Sequence, residues 1–294
     1  MFVSGFVSVV GRPNVGKSTL INSFLGQKVL IVSPKPQTTR DRIQAILTTE
    51  KGQIIFLDTP GMHKARNKLG DYMVSSATSS LKDVDLILFV VDASVSPGPG
   101  DAHIAGILSK IKTPVFLVAN KIDLSRDGFA EKQLPFYREI FNFKEFFTVS
   151  ALTGENLDQL LHGIMASMPP GPCYFPPEMV TDRPDKFLAG EIIREKIITC
   201  TREEIPHSIA VLINRMEPRD DGLLVIEAVV FVEKKSQKGI IIGKDGAMLK
   251  KIGTMARVEL EKYFGKRLFL DIWVKVKKDW RQKESVLRQL GYFN

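Results

Sequence analysis

Short β-branched apolar runs alternate with stretches whose apolar positions recur every three or four residues, and this alternation continues over roughly the first 168 residues. Phe6 to Val10 predicts a strand and Ser18 to Leu25 a helix. Ile43 to Thr49 and Gln53 to Leu57 predict two strands, and the Glu50-Lys51-Gly52 turn between them predicts a hairpin. A helix is expected over Asp71 to Leu81. The unbroken run LILFVV within Asp85 to Asp92 predicts a strand buried on both faces of a parallel sheet. Helices over Asp101 to Ile111, Phe129 to Ile140 and Asn156 to Met168 then alternate with strands over Val115 to Ala119 and Glu145 to Val149. Strands alternating with helices make this half an α/β doubly wound, mostly parallel sheet, whose ligand loops lie at the carboxyl ends of the strands.

The pattern breaks at Met168 to Pro177, where five prolines fall in ten residues. Such a stretch is short of backbone donors and reads as a semi-rigid linker. Beyond it the order changes: a helix over Asp185 to Thr201, β-rich stretches over Ser208 to Glu217 and Leu223 to Glu233, a basic helix over Ala247 to Tyr263 and a late strand over Leu268 to Lys275. This is an α+β arrangement. The expected division is residues 1–168, a linker at 169–177, and a second domain at 178–294.

Composition adds bounds. A chain of 294 residues with 44% apolar and 25% charged residues suits two globular domains. No apolar run reaches a membrane span, and MFVSGFVSVV carries no basic residue ahead of its apolar stretch, so neither a transmembrane helix nor a cleavable leader is expected and a cytoplasmic location is. Cys173 and Cys200, with His63, His103, His162 and His207, lack metal or disulfide spacing. The net charge of +8 is uneven: residues 234–294 hold 16 Lys and Arg against 6 Asp and Glu, which points to a polyanionic partner for the C-terminal part.

The first domain carries the nucleotide chemistry. Gly11-Arg12-Pro13-Asn14-Val15-Gly16-Lys17-Ser18 fits G-x-x-x-x-G-K-[ST] between a strand and a helix, with Thr19 continuing into the helix. Its glycines let backbone N–H groups and the helix N-terminus converge on phosphates, Lys17 reaches the β- and γ-phosphates, and Ser18 offers a hydroxyl to Mg2+. Gln37-Thr38-Thr39-Arg40-Asp41 ends a polar stretch with a hydroxyl for a second magnesium ligand, and the residues alone leave Thr38 and Thr39 open. Asp58-Thr59-Pro60-Gly61 follows a strand; its carboxylate can hold magnesium through water and its glycine N–H can approach a γ-phosphate oxygen. Asn120-Lys121-Ile122-Asp123 selects the base, because one carboxylate can accept both N1–H and N2–H of guanine and adenine has no such edge. In Ser150-Ala151-Leu152 a backbone amide can meet the guanine carbonyl.

In the second domain Gln237 to Lys251 reads QKGIIIGKDGAMLKK, and Gly243-Lys244-Asp245-Gly246 matches the G-x-x-G loop that clamps a few single-stranded nucleotides against an apolar groove. Lys244, with Lys238, Lys250 and Lys251 around it, can neutralise phosphates, Gly239 precedes the apolar run, and Ile240 and Ile242 are candidates for the groove floor. Asp245 sets a like charge near those phosphates. Lys275, Lys277, Lys278, Arg281 and Lys283 form either a solvated basic face or a second phosphate-contact site.

GRPNVGKS, QTTRD, DTPG, NKID and SAL, in that order, resemble the signatures of translation-factor-type GTPases of the TrmE-Era-EngA branch, and over essentially the whole chain the sequence is similar to the Era family, a P-loop GTPase domain followed by a type II KH domain. That resemblance implies GTP and GDP as ligands with Mg2+, catalytic roles for Lys17, Thr39 and Gly61, and magnesium ligation by Ser18, Thr39 and Asp58. It also implies binding to the single-stranded 3′ end of small-subunit 16S rRNA, action in small ribosomal subunit assembly, and weak peripheral membrane contact. A monomer is expected. Met62 stands where Ras-like enzymes carry a water-orienting Gln, so slow intrinsic hydrolysis is expected. Relatives with Asn at the position of Asn14 use K+, which makes potassium dependence an expectation. Two other classes compete: a GTP-gated RNA-modifying or RNA-processing enzyme, for which residues 173–294 offer no nucleophile or metal cluster, and a nucleotide-independent RNA binder, which five nucleotide signatures disfavour.

Overall fold

The computed structural model describes residues 1–294 except 34, 36, 37, 62–66, 126–128 and 293–294. Met62 and Gln37 therefore lie outside the described residues. The chain divides into two compact units, Met1–Ala65 with Met73–Asp182, and Arg66–Tyr72 with Arg183–Asn294.

The first unit runs β1 (Val3–Val10), α1 (Lys17–Leu25), β2 (Ile43–Thr49), β3 (Gly52–Asp58), α2 (Lys68–Ser79), β4 (Leu86–Asp92), α3 (Pro99–Leu108), β5 (Val115–Asn120), α4 (Phe129–Ile140), β6 (Glu145–Val149) and α5 (Leu157–Ala166). Its six-stranded sheet has the order β2-β3-β1-β4-β5-β6. All pairs are parallel except the β2–β3 hairpin. Every residue from Leu86 to Val91 is fully buried, as a run apolar on both faces requires. On one face Phe89 and Val91 pack with Leu81, Ile104, Leu108 and Tyr137. Each such side chain contributes about 1.5–3 kcal/mol by leaving water. Because β1 is joined to β3 on one side and to β4 on the other, the winding reverses beside it. The crevice at its carboxyl end is where a doubly wound sheet takes ligands, and Gly11 to Ser18 begins there.

The expected semi-rigid linker is fastened to the first unit. Pro170 bridges to Val3, and Gln53, fully buried, grips the segment: its Nε2 donates to the Phe175 carbonyl (2.9 Å), and its Oε1 accepts from the amides of Tyr174 (2.8 Å) and Phe175 (3.0 Å). Farther on, the Ile46 amide donates to the Val180 carbonyl (2.9 Å) and Ala45 bridges Thr181, so the segment covers the edge of β2. The first unit accordingly extends to Asp182, past the expected boundaries at 168 and 177. The physical reason is that the side-chain amide of Gln53 supplies both the donor and the acceptor that this proline-interrupted segment needs.

The second unit runs α6 (Asp185–Cys200), α7 (Ile205–Ser208), β7 (Ala210–Pro218), β8 (Leu224–Val232), α8 (Lys235–Ile242), α9 (Ala247–Phe264), β9 (Leu268–Val276) and α10 (Glu284–Gln289). The sheet order is β7-β8-β9, antiparallel then parallel. Ile193 and Ile197 of α6, Ile241 of α8 and Ile252, Ala256 and Leu260 of α9 close one face of this sheet over Ile226, Ala228 and Val230. Ile240 to Ile242 ends the helix α8: Ile241 is in the core, while Ile240 is 50% exposed. Ser208, expected to open a strand, closes the short helix α7.

Candidate functional site

A cleft of about 420 Å³ opens over the phosphate loop, walled by Pro13, Asn14, Lys17 and Thr19 on one side and by Thr38, Thr39 and Gly61 on the other. Ile31, Val32 and Ser33 also line it. They belong to the run Val29-Leu30-Ile31-Val32-Ser33, and nothing in the sequence pattern assigned these three to the cleft. Gly16 ends the loop at φ 98°, a left-handed conformation costly to any residue with a Cβ, and a Cβ there would strike Asn120 Nδ2. Gly16→Ala is expected to cost about 2 kcal/mol of stability from this strain and to weaken nucleotide binding. A thermal melt and a GDP titration check it, and wild-type values in both would contradict the packing described.

Lys17 is buried, and its Nζ donates to the carbonyls of Gly11 (3.2 Å) and Arg12 (2.9 Å). Burial pushes its pKa down to about 8, against the opposing pull of Asp58. Burial likewise raises the Asp58 carboxyl, against Lys17 and the donors Ser18, Thr39 and the Thr59 amide. Asp58 Oδ2 accepts from Ser18 Oγ (2.9 Å) and Thr39 Oγ1 (3.1 Å), and the two hydroxyls lie 3.1 Å apart. The other carboxylate oxygen, Oδ1, is buried without a hydrogen-bond partner of good geometry. Three hard oxygen groups around one point fit Mg2+, which takes a few oxygens and keeps its remaining waters. Thr38 donates to the Lys35 carbonyl (2.6 Å), and it is the Thr39 hydroxyl that bonds Asp58 and lies beside Ser18. Thr59 Oγ1 donates to the Val9 carbonyl (2.8 Å) and ties the Asp58 to Gly61 turn to β1.

At the base end the parts divide into braces and contacts. Asn120 is buried and both ends of its amide bond internally: Nδ2 donates to the Val15 carbonyl (2.8 Å) and Oδ1 accepts from the Ala151 amide (2.9 Å). It joins the phosphate loop to the Ser150 turn, and the Ala151 N–H is engaged there. Lys121, at φ 70° on the cleft wall, pairs with Asp92 Oδ2 at 2.5 Å. Asp123 is exposed, and its Oδ1 accepts from Ser150 Oγ (2.5 Å), whose oxygen also accepts from the Thr153 amide (3.1 Å). A carboxylate aimed by a hydroxyl in this way is ready for two neighbouring ring donors. Ile122 opens a single turn of 3-10 helix that presents Asp123, and Leu152 is exposed. Arg12 forms an ion pair with the buried Asp101 (2.9 Å) at the start of α3, which makes it a brace.

In the second unit the Gly243 to Gly246 loop joins α8 to α9. Gly243 and Gly246 have φ 74° and 78°, Asp245 shares the left-handed region at 50°, and a Cβ on Gly243 would lie 2.8 Å from the Met248 amide nitrogen. A groove of about 420 Å³ starts at Gly246 and runs between α9 and β9. Lys250 and Arg257 stand on its helix side, and Leu268 to Leu270 and Ile272 on its strand side. Of the expected contacts Gly246 and Lys250 line it, whereas Lys238, Gly239, Ile240, Ile242, Lys244 and Lys251 are not among its lining residues. The basic tail is partly committed elsewhere: Arg281 pairs with Glu233 at 2.5 Å, and Lys277 Nζ sits 5.4 Å from the centre of the Phe231 ring. Among the described residues no helix is long and apolar enough to cross a membrane, and no cluster of His, Cys, Asp or Glu has metal-binding geometry.

Residues 6–121 match the 50S ribosome-binding GTPase family and residues 204–281 the KH domain family. The GTPase Era of Clostridium kluyveri is 52% identical over 292 residues, covering 99% of this chain and 100% of that protein. The chain belongs to the Era GTPase family. The GTPase Era of Geobacter metallireducens is 50% identical over 99% of this chain and 98% of its own length. Two solved Era structures superimpose over 99% of both chains: a variant of the Aquifex aeolicus protein bound to GDP and AlF4−, with TM-score 0.95 and 43% identity, and Era in complex with MgGDPNP and nucleotides 1506–1542 of 16S ribosomal RNA, with TM-score 0.94 and 44% identity. The Era architecture of a P-loop GTPase domain followed by a KH domain is thus that of this chain.

Proposed function

We propose that this chain is a GTP-hydrolysing switch that grips the single-stranded 3′ end of small-subunit ribosomal RNA during assembly of the small subunit, working in the cytoplasm. The observation that carries the reading is the convergence of Ser18, Thr39 and Asp58 at the phosphate end, with Asp123 aimed by Ser150 at the base end, on the carboxyl edge of one sheet. Relatives solved with GDP and AlF4− and with MgGDPNP and 16S rRNA support it.

Lys17, with the loop amides, holds the β- and γ-phosphates. Ser18, Thr39 and Asp58 would hold the magnesium, which supplies positive charge against the phosphate oxygens. Thr39 and Gly61 belong to two different loops that line the same cleft, so a γ-phosphate that both contact links the two loops. In hydrolysis water attacks the γ-phosphorus, the bond to the β-phosphate oxygen breaks, and GDP and phosphate leave. The sequence places Met62 after Gly61, and an apolar side chain cannot orient that water, so the intrinsic rate is slow. Asn14 on the cleft wall supports a role for K+ there. Equal turnover in sodium and potassium buffers would remove that role.

RNA enters at the groove beside Gly246. Replacing Gly243 and Gly246 together by Asp adds two carboxylates and a clash with Met248, so affinity for single-stranded RNA is expected to fall at least about a hundredfold with GTP affinity unchanged. Fluorescence anisotropy with labelled RNA measures the first and nucleotide titration the second. The switch reading fails if RNA affinity is identical for the nucleotide-free, GDP-loaded and GTP-analogue-loaded protein.

A further inference from the structure

The chain has two tryptophans, and they are used in opposite ways. Trp280 is fully buried, with its Nε1 donating to the Ser208 carbonyl (2.9 Å). Trp273, in β9, is 61% exposed. Its side chain is nonetheless fixed, because Nε1 donates to Asp271 Oδ2 at 2.7 Å two residues back on the same face. In β9 the even-numbered positions from Leu268 to Val274 face the helices, and Phe269, Asp271, Trp273 and Lys275 point to the opposite, uncovered face. Phe269 is 56% exposed and also lines the groove beside Gly246, so it belongs both to the groove wall and to the uncovered face that carries Trp273.

A large aromatic ring held in one orientation at the surface keeps apolar area in water without serving the core. It matches a stacking platform, on which any nucleobase gains because every base has a π-face. Lys275, two residues beyond Trp273 on the same face, stands where a phosphate attached to a stacked base can be met. Glu227 on the neighbouring strand is paired with Arg215, and Asp271 is engaged with the indole. The net charge of +10 over the last sixty-one residues favours an anionic partner, and the fixed exposed indole favours one that carries flat rings.

We infer that Trp273 is a base-stacking site that extends the groove: an RNA strand leaving the groove past Phe269 lays an unpaired base on the indole, with Lys275 on its phosphate. The site rests on the reading that the groove takes single-stranded RNA. It predicts a length dependence, since about four nucleotides fill the loop and groove and only a longer strand reaches Trp273.

The test uses the full chain loaded with a non-hydrolysable GTP analogue, with two RNAs of about four and about twelve nucleotides. Trp280, sealed in the core, gives a constant emission background, so quenching reports on Trp273. The longer RNA is expected to quench wild-type fluorescence and the shorter to leave it unchanged, and Trp273→Phe should lose the quenching while keeping a wild-type melt. Trp273→Ala should bind the longer RNA about tenfold more weakly and the shorter one normally, the size expected of one base–aromatic stack. Equal affinity of Trp273→Ala and wild type for the longer RNA overturns the site, as does an equal loss for both lengths, which would mean damage to the groove. Normal RNA binding with lost association to isolated small subunits overturns it in favour of a protein contact. If wild type binds neither RNA, the groove reading fails, and the stacking site fails with it. If only the double Asp variant at Gly243 and Gly246 loses binding, the groove stands and the stacking site falls.

Discussion

Asp123→Asn should reduce affinity for guanine nucleotides by about 10⁴-fold and raise affinity for xanthine nucleotides. The wild-type carboxylate presents two acceptors to the two guanine donors N1–H and N2–H. An Asn presents one acceptor and one donor, so N2–H meets an N–H and a donor is left unpaired. Xanthine carries a carbonyl at that position and restores the complement. Asp123 is exposed, and Ser150 Oγ can donate to the amide oxygen as it does to the carboxylate, so stability should change by no more than about 0.5 kcal/mol. Titrations of the variant with GDP and XDP, beside a thermal melt, decide it. A variant that kept its preference for GDP would show that base selection does not reside in this carboxylate.

Lys17→Ala is the second large effect. Lys17 is buried with its ammonium between two carbonyls, so its removal leaves those oxygens and the buried Asp58 without their cation at the point where phosphate charge must enter. The loss of one partner of a buried charge pair is worth about 3–5 kcal/mol, which places nucleotide affinity down by about 10³ and GTP turnover below detection. Equilibrium dialysis with labelled GDP and a phosphate-release assay measure both. The control is the Gly243 and Gly246 double variant, which should keep wild-type GTP affinity. Retention of GTP affinity by Lys17→Ala would contradict the assignment of the phosphate loop.

The two substitutions act at opposite ends of one ligand, and the geometry explains why neither compensates for the other. Asp123 is aimed by Ser150, while Lys17 is held by the loop's own carbonyls. Two side chains connect the ends: Asn120 bonds Val15 in the phosphate loop and Ala151 in the base loop, and Ser23 of α1 donates from Oγ to the Ala151 carbonyl (2.6 Å). Asn120 is part of the base-recognition motif, and its two bonds also make it a brace between the loops. The same holds for Arg12, whose partner Asp101 lies about ninety residues away in the sequence.

Local patterning settled the alternation of strands and helices in the first unit, the order of the nucleotide motifs, and the concentration of positive charge near the C-terminus. These properties depend on residue type and on spacing over a few positions, where the strand period, the helix period and the glycine-flanked loop each leave a readable mark. What only the tertiary structure decided depends on partners distant in the chain. Gln53 binding Phe175 fastened the expected linker to the first unit, and Ile46 binding Val180 laid the residues after it along the edge of β2. Ile241 went into the core of the second unit and left Ile240 outside. The strand-side wall of the groove, Leu268 to Leu270 and Ile272, could be recognised only once β9 lay against α9. Hydrogen bonds and packing are short-ranged in space but indifferent to separation along the chain, so a one-dimensional pattern records which residues can form them and leaves the choice of partner to the fold.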